Sequence, residues 1–277
     1  MRHRILIPLV LLLAYLPMRA AEPLRISWTN NVLAVTAPHL PGGRLEVWYL
    51  EAFLRSGANG REWGQSVLRH KTTLLESAAD GSHLKFLTLV ATNVEVRHEI
   101  RASADELDIR FVLTNRGSSW IDLQWFQPAC IRVPAFTGRT QTDFTRRTFL
   151  YTAKGLTTLD QLRRTTNALY LGGQVFPMPG VAAADANPRP LALDRPVNGL
   201  IGCFSADDRW ILATASDRTH ELFEGVYVCF HSDPAVGGLD PGETKAVRQK
   251  IYFVPNDPAA LLRRYEKDFP VGADGRR

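Results

Sequence analysis

SWIDLQWFQPACIRVPAFTGR, residues 119–139, decides the predicted fold, because its side chains alternate between two faces with a period of two. One face of the predicted strand carries Ile121, Leu123, Trp125 and Gln127. Pro128 has no backbone N–H to donate, so we expect the strand to end there. The stretch therefore predicts a two-faced β-strand, followed by a turn at Thr137-Gly138.

The residues around the end of this strand are suited to binding a saccharide. Trp125 offers a flat ring to the C–H face of a sugar, and Gln127 offers a planar amide. Arg132 and Arg139 follow with guanidinium groups that can bind hydroxyls or carboxylates. Trp48, in an earlier predicted strand, is a second candidate ring. The alternative is that the aromatic residues belong to the core and the arginines are solvated.

The first 20 residues have the features of a secretory signal peptide. Arg2 and Arg4 precede an apolar run over residues 5–16, which is too short to span a membrane, and two alanines follow. An uncleaved anchor is the alternative. We therefore predict a secreted or periplasmic protein that has no membrane span after cleavage.

The charge balance argues against a nucleic-acid partner. The chain has 33 Lys and Arg residues against 28 Asp and Glu residues, and loss of Arg2, Arg4 and Arg19 with the signal leaves 30 against 28. A nearly neutral mature chain without a basic run does not have the electrostatic pattern of a nucleic-acid-binding protein.

Three cysteines, Cys130, Cys203 and Cys229, lie within apolar strand-like runs. We expect them to be buried small hydrophobic residues, and one disulfide is possible in an oxidising compartment. Metal ligation is not predicted, because the sequence has no CxxC and no closely spaced His/Cys pair of the usual kind. No cofactor is predicted.

The rest of the chain predicts an all-β fold. Short strands separated by hairpin-length turns run from about residue 24 to 133 and resume over residues 199–253, so neighbouring strands should be antiparallel. A closing helix is predicted, with Asp257 as N-cap and Pro258 as its first residue. The prediction is one large antiparallel β-sandwich domain over residues 21–277 with a C-terminal helix.

The segment over residues 135–198 is predicted to be an irregular insertion. Its second half contains five prolines, and residues 156–169 predict a helix or two short turns. Long irregular segments are usually functional or mobile, so we expect a loop folded across the sandwich; a disordered surface excursion is the alternative. After the insertion, a strand is predicted over residues 221–231, ending at His231.

Two stretches resemble a known class of proteins. NVEVRHEIRASADELDIRFVLTNRGSSW (residues 93–120) and GGLDPGETKAVRQKIYFV (residues 237–254) resemble strands of the galactose mutarotase-like supersandwich domains, which occur in sugar epimerases, glycoside hydrolases and polysaccharide lyases. From about residue 25 onward the chain is also similar to a group of secreted bacterial proteins. The class resemblance implies a saccharide site on the concave sheet, with a histidine acid and a carboxylate base. No motif establishes which residues of this chain correspond to them.

Four residues are candidates for acid–base chemistry: His231, Glu46, His98 and His70. His231 is placed at a predicted strand end, and Glu46 shares a predicted face with Trp48. His98 and His70 lie on apolar faces, where a histidine is more often a satisfied core group. The predicted function is a carbohydrate-active protein, as a lyase, hydrolase or epimerase. The alternative is a non-catalytic carbohydrate-binding or cell-envelope interaction protein.

Overall fold

The computed structural model describes residues 22–270. Its strands are β1 (Arg25–Thr29), β2 (Val32–Thr36), β3 (Arg44–Leu54), β4 (Val67–Leu68), β5 (His70–Ser77), β6 (His83–Val90), β7 (Val94–Ala102), β8 (Glu106–Asn115), β9 (Trp125–Arg132), β10 (Thr148–Thr152), β11 (Gly155–Thr158), β12 (Gln174–Pro177), β13 (Leu200–Phe204), β14 (Trp210–Ser216), β15 (Thr219–Gly225), β16 (Cys229–Pro234) and β17 (Thr244–Pro255). Its α-helices are α1 (Trp63–Ser66), α2 (Pro134–Thr137), α3 (Gln141–Arg147) and α4 (Pro258–Asp268).

Within residues 22–270 the strands form two antiparallel sheets. The front sheet has eight strands in the order β1-β2-β3-β9-β16-β15-β12, with β4 paired to β3. The back sheet has nine strands in the order β11-β10-β13-β14-β17-β8-β7-β6-β5. The predicted all-β antiparallel sandwich is confirmed. The division into a signal peptide (1–20) and one domain (21–277) stays a prediction, since residues 1–21 and 271–277 lie outside the described part.

The core lies between the inner faces of the two sheets. Phe126 of β9 stacks on Phe53 of β3 with ring centroids 5.3 Å apart, and meets Phe111 of the back sheet edge-on at 5.1 Å. All three rings are fully buried. Burying a phenylalanine side chain stabilises a fold by roughly 1.5–3 kcal/mol, so this layer of aromatic rings contributes strongly to holding the sheets together.

The prediction that Pro128 ends its strand is wrong, because β9 continues through it to Arg132. The pairing of β3 with β9 shifts register between Tyr49 and Ala52, opposite the segment that contains Pro128. A residue without an N–H is tolerated at such an irregularity. The consecutive residues Tyr49 and Leu50 are both buried in the core, which interrupts the alternation of side chains between the two faces of β3. The next residue, Glu51, therefore points to the outer face of the sheet, where it lines a cavity.

The single strand predicted over residues 221–231 is also wrong. The segment forms a hairpin of β15 and β16, and residues 226–228 make the turn. Val228 has a positive φ of 54°, a turn conformation that the apolar sequence did not suggest. His231 therefore lies inside β16, opposite Phe223 of β15, and not at a strand end.

Part of the predicted insertion, around residues 182–190, crosses the outer face of the front sheet, but much of residues 135–198 is regular: β10 and β11 extend the back sheet, and β12 pairs with β15 of the front sheet. The backbone oxygen of Asp185 accepts a hydrogen bond from Trp125 Nε1 at 3.0 Å, and Asn187 N donates to Glu221 Oε2 at 3.1 Å. The Asp185 carboxylate also accepts from Gly57 N at 2.7 Å. Residues 156–169 contain part of β11 and a short 3-10 helix, whereas α3 was not predicted.

The C-terminal helix begins as predicted. Asp257 is the N-cap and accepts a hydrogen bond from Ala260 N at 2.9 Å, and Pro258 is the first helical residue. Leu261 and Tyr265 pack against the outer face of the back sheet. No helix over residues 22–270 has the length and apolar character needed to cross a membrane.

Candidate functional site

A cavity of about 330 Å³ lies between the outer face of the front sheet and the loop that crosses it. Side chains alternate along each strand. The side chains next to the core residues Ile131, Leu222 and Phe230 therefore face the outer side of the sheet. The residues that line the cavity are Glu51, Trp63, Gln127, Cys130, Tyr170, Asn187, Arg189, Phe223, Gly225, Val226, Tyr227, Cys229 and His231.

The inner end of the cavity holds a histidine between two carboxylates. His231 Nε2 lies 3.7 Å from Glu51 Oε2, and His231 Nδ1 lies 3.6 Å from Asp233 Oδ1. Asp233 Oδ2 accepts a longer hydrogen bond from Gln127 Nε2 at 3.4 Å. The His231 and Asp233 side chains are buried, whereas that of Glu51 is 36% exposed. Glu51 is therefore the member of this group that is open to a ligand.

Two thiols complete this inner end. Cys130 of β9 and Cys229 of β16 are both buried and free. Their two sulfur atoms and one ring nitrogen of His231 all lie within 4.8 Å of one another. Cys229 Sγ is 3.9 Å from His231 Nε2. Cys203, in contrast, is buried in the main core between the sheets. The three cysteines are buried as predicted, but the sequence did not predict that two of them meet a histidine.

The surroundings shift the pKa of these groups. Burial raises the pKa of Asp233 to about 6, although His231 lowers it, and burial likewise raises the pKa of Glu51. Burial alone would lower the pKa of His231, but Cys130 and Asp233 raise it well above its ordinary value. A hydrogen bond from Cys130, with His231 nearby, holds the pKa of the Cys229 thiol well below its usual range.

Aromatic and planar polar groups form the outer walls of the cavity. Tyr170 donates its hydroxyl to Glu62 Oε2 at 2.6 Å and accepts from Trp63 N at 3.0 Å, which joins the long loop to the segment that carries Trp63. The Arg189 guanidinium lies 5.3 Å from the centroid of the Tyr170 ring. Tyr227, at the β15–β16 turn, is 72% exposed and stands at the mouth.

Of the predicted site residues, His231 and Gln127 line the cavity. Trp125 does not: its indole is fully buried, stacks on His220 at 5.0 Å, and holds the loop through Asp185. The structure therefore places Trp125 beneath the loop as a support and not as an open sugar platform.

Glu46, Trp48 and Arg132 lie together on the outer face of the front sheet, beside the cavity lining. Glu46 pairs in register with Arg132 and is bound by Arg44 at 3.2 Å. The Arg132 guanidinium covers the Trp48 ring at 4.7 Å. None of these three side chains lines the cavity.

The remaining three predicted residues are not brought to the cavity. Arg139 is exposed between α2 and α3. His70 contacts Leu50 O at 3.2 Å and the edge of Phe53. His98 is sealed in the core, where its ring bonds to Tyr49 Oη at 2.7 Å, and burial lowers its pKa to about 3. An imidazole in that position is neutral and out of reach of a ligand.

Sequence reasoning missed Glu51 and the pairing of the two thiols. Strict alternation along β3 places Glu51 on the same face as Val47 and Tyr49, which are core residues. A carboxylate at an apparent core position is itself a signal of a bulge. Cys130 and Cys229 lie far apart in sequence, and only the adjacency of β9 and β16 brings them together.

A second cavity of about 730 Å³ lies near the end of the front sheet that carries His220. Tyr151, Met178 and Arg218 are among the residues of its lining. It does not contain the histidine–carboxylate–thiol group, and no candidate acid–base residue from the sequence lies in it.

No protein-family model and no curated protein matches this chain. Solved structures do match. A galactose mutarotase related enzyme from Lactobacillus acidophilus is 10% identical, with a TM-score of 0.44, and the match covers 85% of this chain and 98% of that one. A galactose mutarotase-like protein from Clostridium acetobutylicum is 9% identical, with a TM-score of 0.41 and coverage of 83% and 94%. A polysaccharide lyase is 10% identical over 88% of this chain and 34% of its own, with a TM-score of 0.43.

The first two of these structures are named for the galactose mutarotase class that the sequence resembles. Identities and TM-scores this low carry no information about a site or a reaction.

Proposed function

We propose that this protein is carbohydrate-active and binds a saccharide in the cavity on the outer face of the front sheet. The observation that carries the proposal is that aromatic walls surround the accessible Glu51 carboxylate and the buried His231 and Asp233 behind it. A concave site with apolar walls and a few convergent polar groups is the usual form of a small-molecule site. Aromatic rings suit the C–H faces of a sugar, and planar polar groups suit its hydroxyls.

The spacing of the polar groups favours some reactions over others. Glycoside hydrolysis uses two carboxyl groups that flank the bond, at about 5–5.5 Å or about 6.5–9.5 Å from each other. Of the two carboxylates in this group, Glu51 is accessible from the cavity and Asp233 is buried, so a sugar would meet one carboxylate, whose Oε2 lies 3.7 Å from His231 Nε2. The pair acts from one side, which supports proton transfer at one carbon or hydroxyl, as in an epimerase or a lyase.

A non-catalytic saccharide-binding protein is the second candidate. The observation that favours it is that His231 is only 1% exposed, so Glu51 is the one acid–base group of the three with substantial access to the cavity. In that case the buried group would serve to hold Glu51 in place, and Glu51 would accept hydrogen bonds from sugar hydroxyls.

The first experiment is thermal unfolding of the mature protein against neutral, amino and uronic oligosaccharides. A ligand at 100 times its Kd stabilises by about 2.7 kcal/mol, which raises Tm by roughly 2–4 °C for a chain of this size. Product analysis follows with any sugar that gives a shift. An absence of shift with every class would remove the support for a saccharide ligand.

Two matched variants separate the candidates. Glu51→Gln should abolish turnover and change affinity little if the protein is an enzyme, whereas it should only weaken binding if the site is non-catalytic. Glu46→Gln, on the same strand and exposed, is the control and should leave both unchanged. Equal effects of the two substitutions would contradict the assignment of the cavity as the site.

We also propose that the chain is exported, on the evidence of its N-terminal sequence alone. Expression of the full chain in a bacterium, followed by cell fractionation and N-terminal sequencing, tests this. The expected result is an extracytoplasmic protein that begins near residue 21; cytoplasmic protein with an intact N-terminus would contradict it.

A further inference from the structure

We propose that Cys130, Cys229 and His231 form a binding site for a zinc-class divalent cation at the inner end of the cavity. Two thiolates and an imidazole are a ligand set that zinc prefers. The three residues come from adjacent strands of the front sheet, Cys130 from β9 and the other two from β16. Strands are rigid supports, so the ligand atoms are held near one another without an ion.

The distances agree with a nearly formed tetrahedral site. Zinc lies about 2.3 Å from a thiolate and about 2.0–2.1 Å from an imidazole nitrogen, which sets ligand-to-ligand separations of about 3.5–3.8 Å. The Cys229 sulfur is 3.9 Å from His231 Nε2, and all three ligand atoms lie within 4.8 Å of one another. Side-chain adjustments of well under 1 Å per ligand would bring them to a common ion.

Glu51 is the candidate fourth ligand, and its carboxylate lies next to the group of three ligand atoms and outside it. Glu51 Oε2 lies 3.7 Å from the same nitrogen, His231 Nε2, that faces the thiols. Its carboxylate is on the cavity side and is partly exposed, whereas the other three ligands are buried. We expect Glu51 to complete the tetrahedron when no other ligand is bound, and to give way when a ligand oxygen enters the cavity.

Two unpartnered atoms behind the site point to the same assignment. His231 Nδ1 and Asp233 Oδ1 are buried, face each other at 3.6 Å, and neither has a hydrogen-bond partner. Buried polar atoms are rarely left in this state. A histidine that binds a metal through one nitrogen almost always donates its other N–H to a carboxylate or carbonyl. A small rotation of the His231 ring that brings Nδ1–H onto Asp233 Oδ1 would close this gap while Nε2 faces the ion, which makes Asp233 a positioning residue.

Zinc binding goes beyond the proposed saccharide site and can be tested without any sugar. In the zinc-bound form His231 is a ligand and transfers no proton. If the protein turns over a saccharide, the metal-free and zinc-loaded forms should therefore differ in turnover. Because zinc binding is measured without a sugar, and saccharide binding can be measured without zinc, either proposal can fail while the other stands.

The test begins with the full mature protein, reduced and stripped with a chelator. Zinc is titrated in competition with a chromophoric chelator, and the expected result is one ion per chain. Cobalt(II) in place of zinc should give a thiolate-to-metal charge-transfer band and the intense visible bands of tetrahedral coordination. Mass spectrometry after alkylation should show that zinc protects Cys130 and Cys229, but gives Cys203 no added protection.

Variants then assign the ligands. Cys130→Ser and Cys229→Ser should each lower zinc affinity by at least about 100-fold and remove the charge-transfer contribution of that sulfur. Cys203→Ser, a buried cysteine outside the cluster, is the matched control and should retain zinc. Asp233→Asn should lower affinity by about 10–100-fold while leaving the cobalt spectrum tetrahedral.

Three outcomes would overturn the proposal. They are a wild-type protein that binds no zinc once reduced, a Cys229→Ser variant that binds zinc as well as the wild type, and thiols that zinc does not protect from alkylation. The alkylation measurement uses the wild type alone, so it decides the question even if a cysteine variant fails to fold.

Discussion

The hydroxyl oxygen of Tyr49 in the front sheet lies 2.7 Å from Nδ1 of His98 in the back sheet, a buried hydrogen bond that joins the two sheets. The other ring nitrogen of His98 bonds to Thr88 Oγ1 at 2.9 Å. The ring also stacks on Phe86 at 4.9 Å. His98 is thus a satisfied core residue whose polar atoms both have partners, and its role is in stability.

Replacement of His98 should therefore destabilise the protein and leave ligand binding unchanged. We expect His98→Ala to lower the free energy of unfolding by about 3–5 kcal/mol, because it opens a cavity and leaves the Tyr49 hydroxyl unpaired. Chemical denaturation measures this change. Tyr49→Phe, which removes only the hydroxyl, should cost about 1–3 kcal/mol. Loss of saccharide or zinc binding by folded His98→Ala protein would contradict this role.

The same residue should make stability fall in acid. The pKa of His98 is about 3 in the folded protein and near its ordinary value of about 6.5 in the unfolded chain, so between these values the unfolded state binds the extra proton. Its contribution is therefore complete above pH 6.5 and decreases as the pH falls. Between pH 6.5 and pH 5 the resulting loss of unfolding free energy amounts to about 2 kcal/mol.

A comparison with His98→Gln separates the contribution of His98 to the unfolding free energy from those of the other titrating groups. The difference in unfolding free energy between wild type and variant, measured by denaturation at several pH values, should shrink by about 2 kcal/mol between pH 6.5 and pH 5. A difference that stays constant with pH would show that His98 has the same pKa in the folded protein and the unfolded chain, which would contradict its burial as a neutral ring.

Trp125 should control the order of the loop over the cavity. Its indole N–H donates to the backbone oxygen of Asp185, and Trp125→Phe keeps a ring but leaves that acceptor without its donor. We expect the opening of residues 182–190 to become easier by about 1–2 kcal/mol. Hydrogen exchange or limited proteolysis of this segment measures the change. Trp48→Phe, at an exposed tryptophan beside the cavity, is the control and should leave the exchange of the loop unaltered.

Gly173, which precedes β12, should resist substitution because of two separate constraints. Its φ is +72°, and a Cβ there would collide with the backbone oxygen of Glu224. Gly180 has a similar φ of +88° but open space around it. We expect Gly180→Ala to cost about 1 kcal/mol, and Gly173→Ala about 3 kcal/mol, since backbone must move to admit its methyl group. Similar midpoints of thermal unfolding for the two variants would contradict the close packing of β12 on β15.

The class of fold could be predicted from the sequence alone. Alternating apolar residues and short turns specify antiparallel strands locally, because each side chain needs only its near neighbours to determine which face it takes. The N-cap at Asp257 was predictable for the same reason, since a cap forms within four residues of chain. His231 and Gln127 were predicted as site residues and do line the cavity.

Only the tertiary structure decided how the site is composed. The register shift in β3 turns Glu51 to the cavity, and the β15–β16 hairpin places His231 inside a strand, opposite Phe223. The adjacency of β16 and β9 brings Cys229 to Cys130. Bulges, hairpin turns and strand order depend on which strands pair across long stretches of sequence, and no local pattern records that pairing. The sequence by itself therefore determined the strands and their faces, whereas long-range pairing determined which side chains meet.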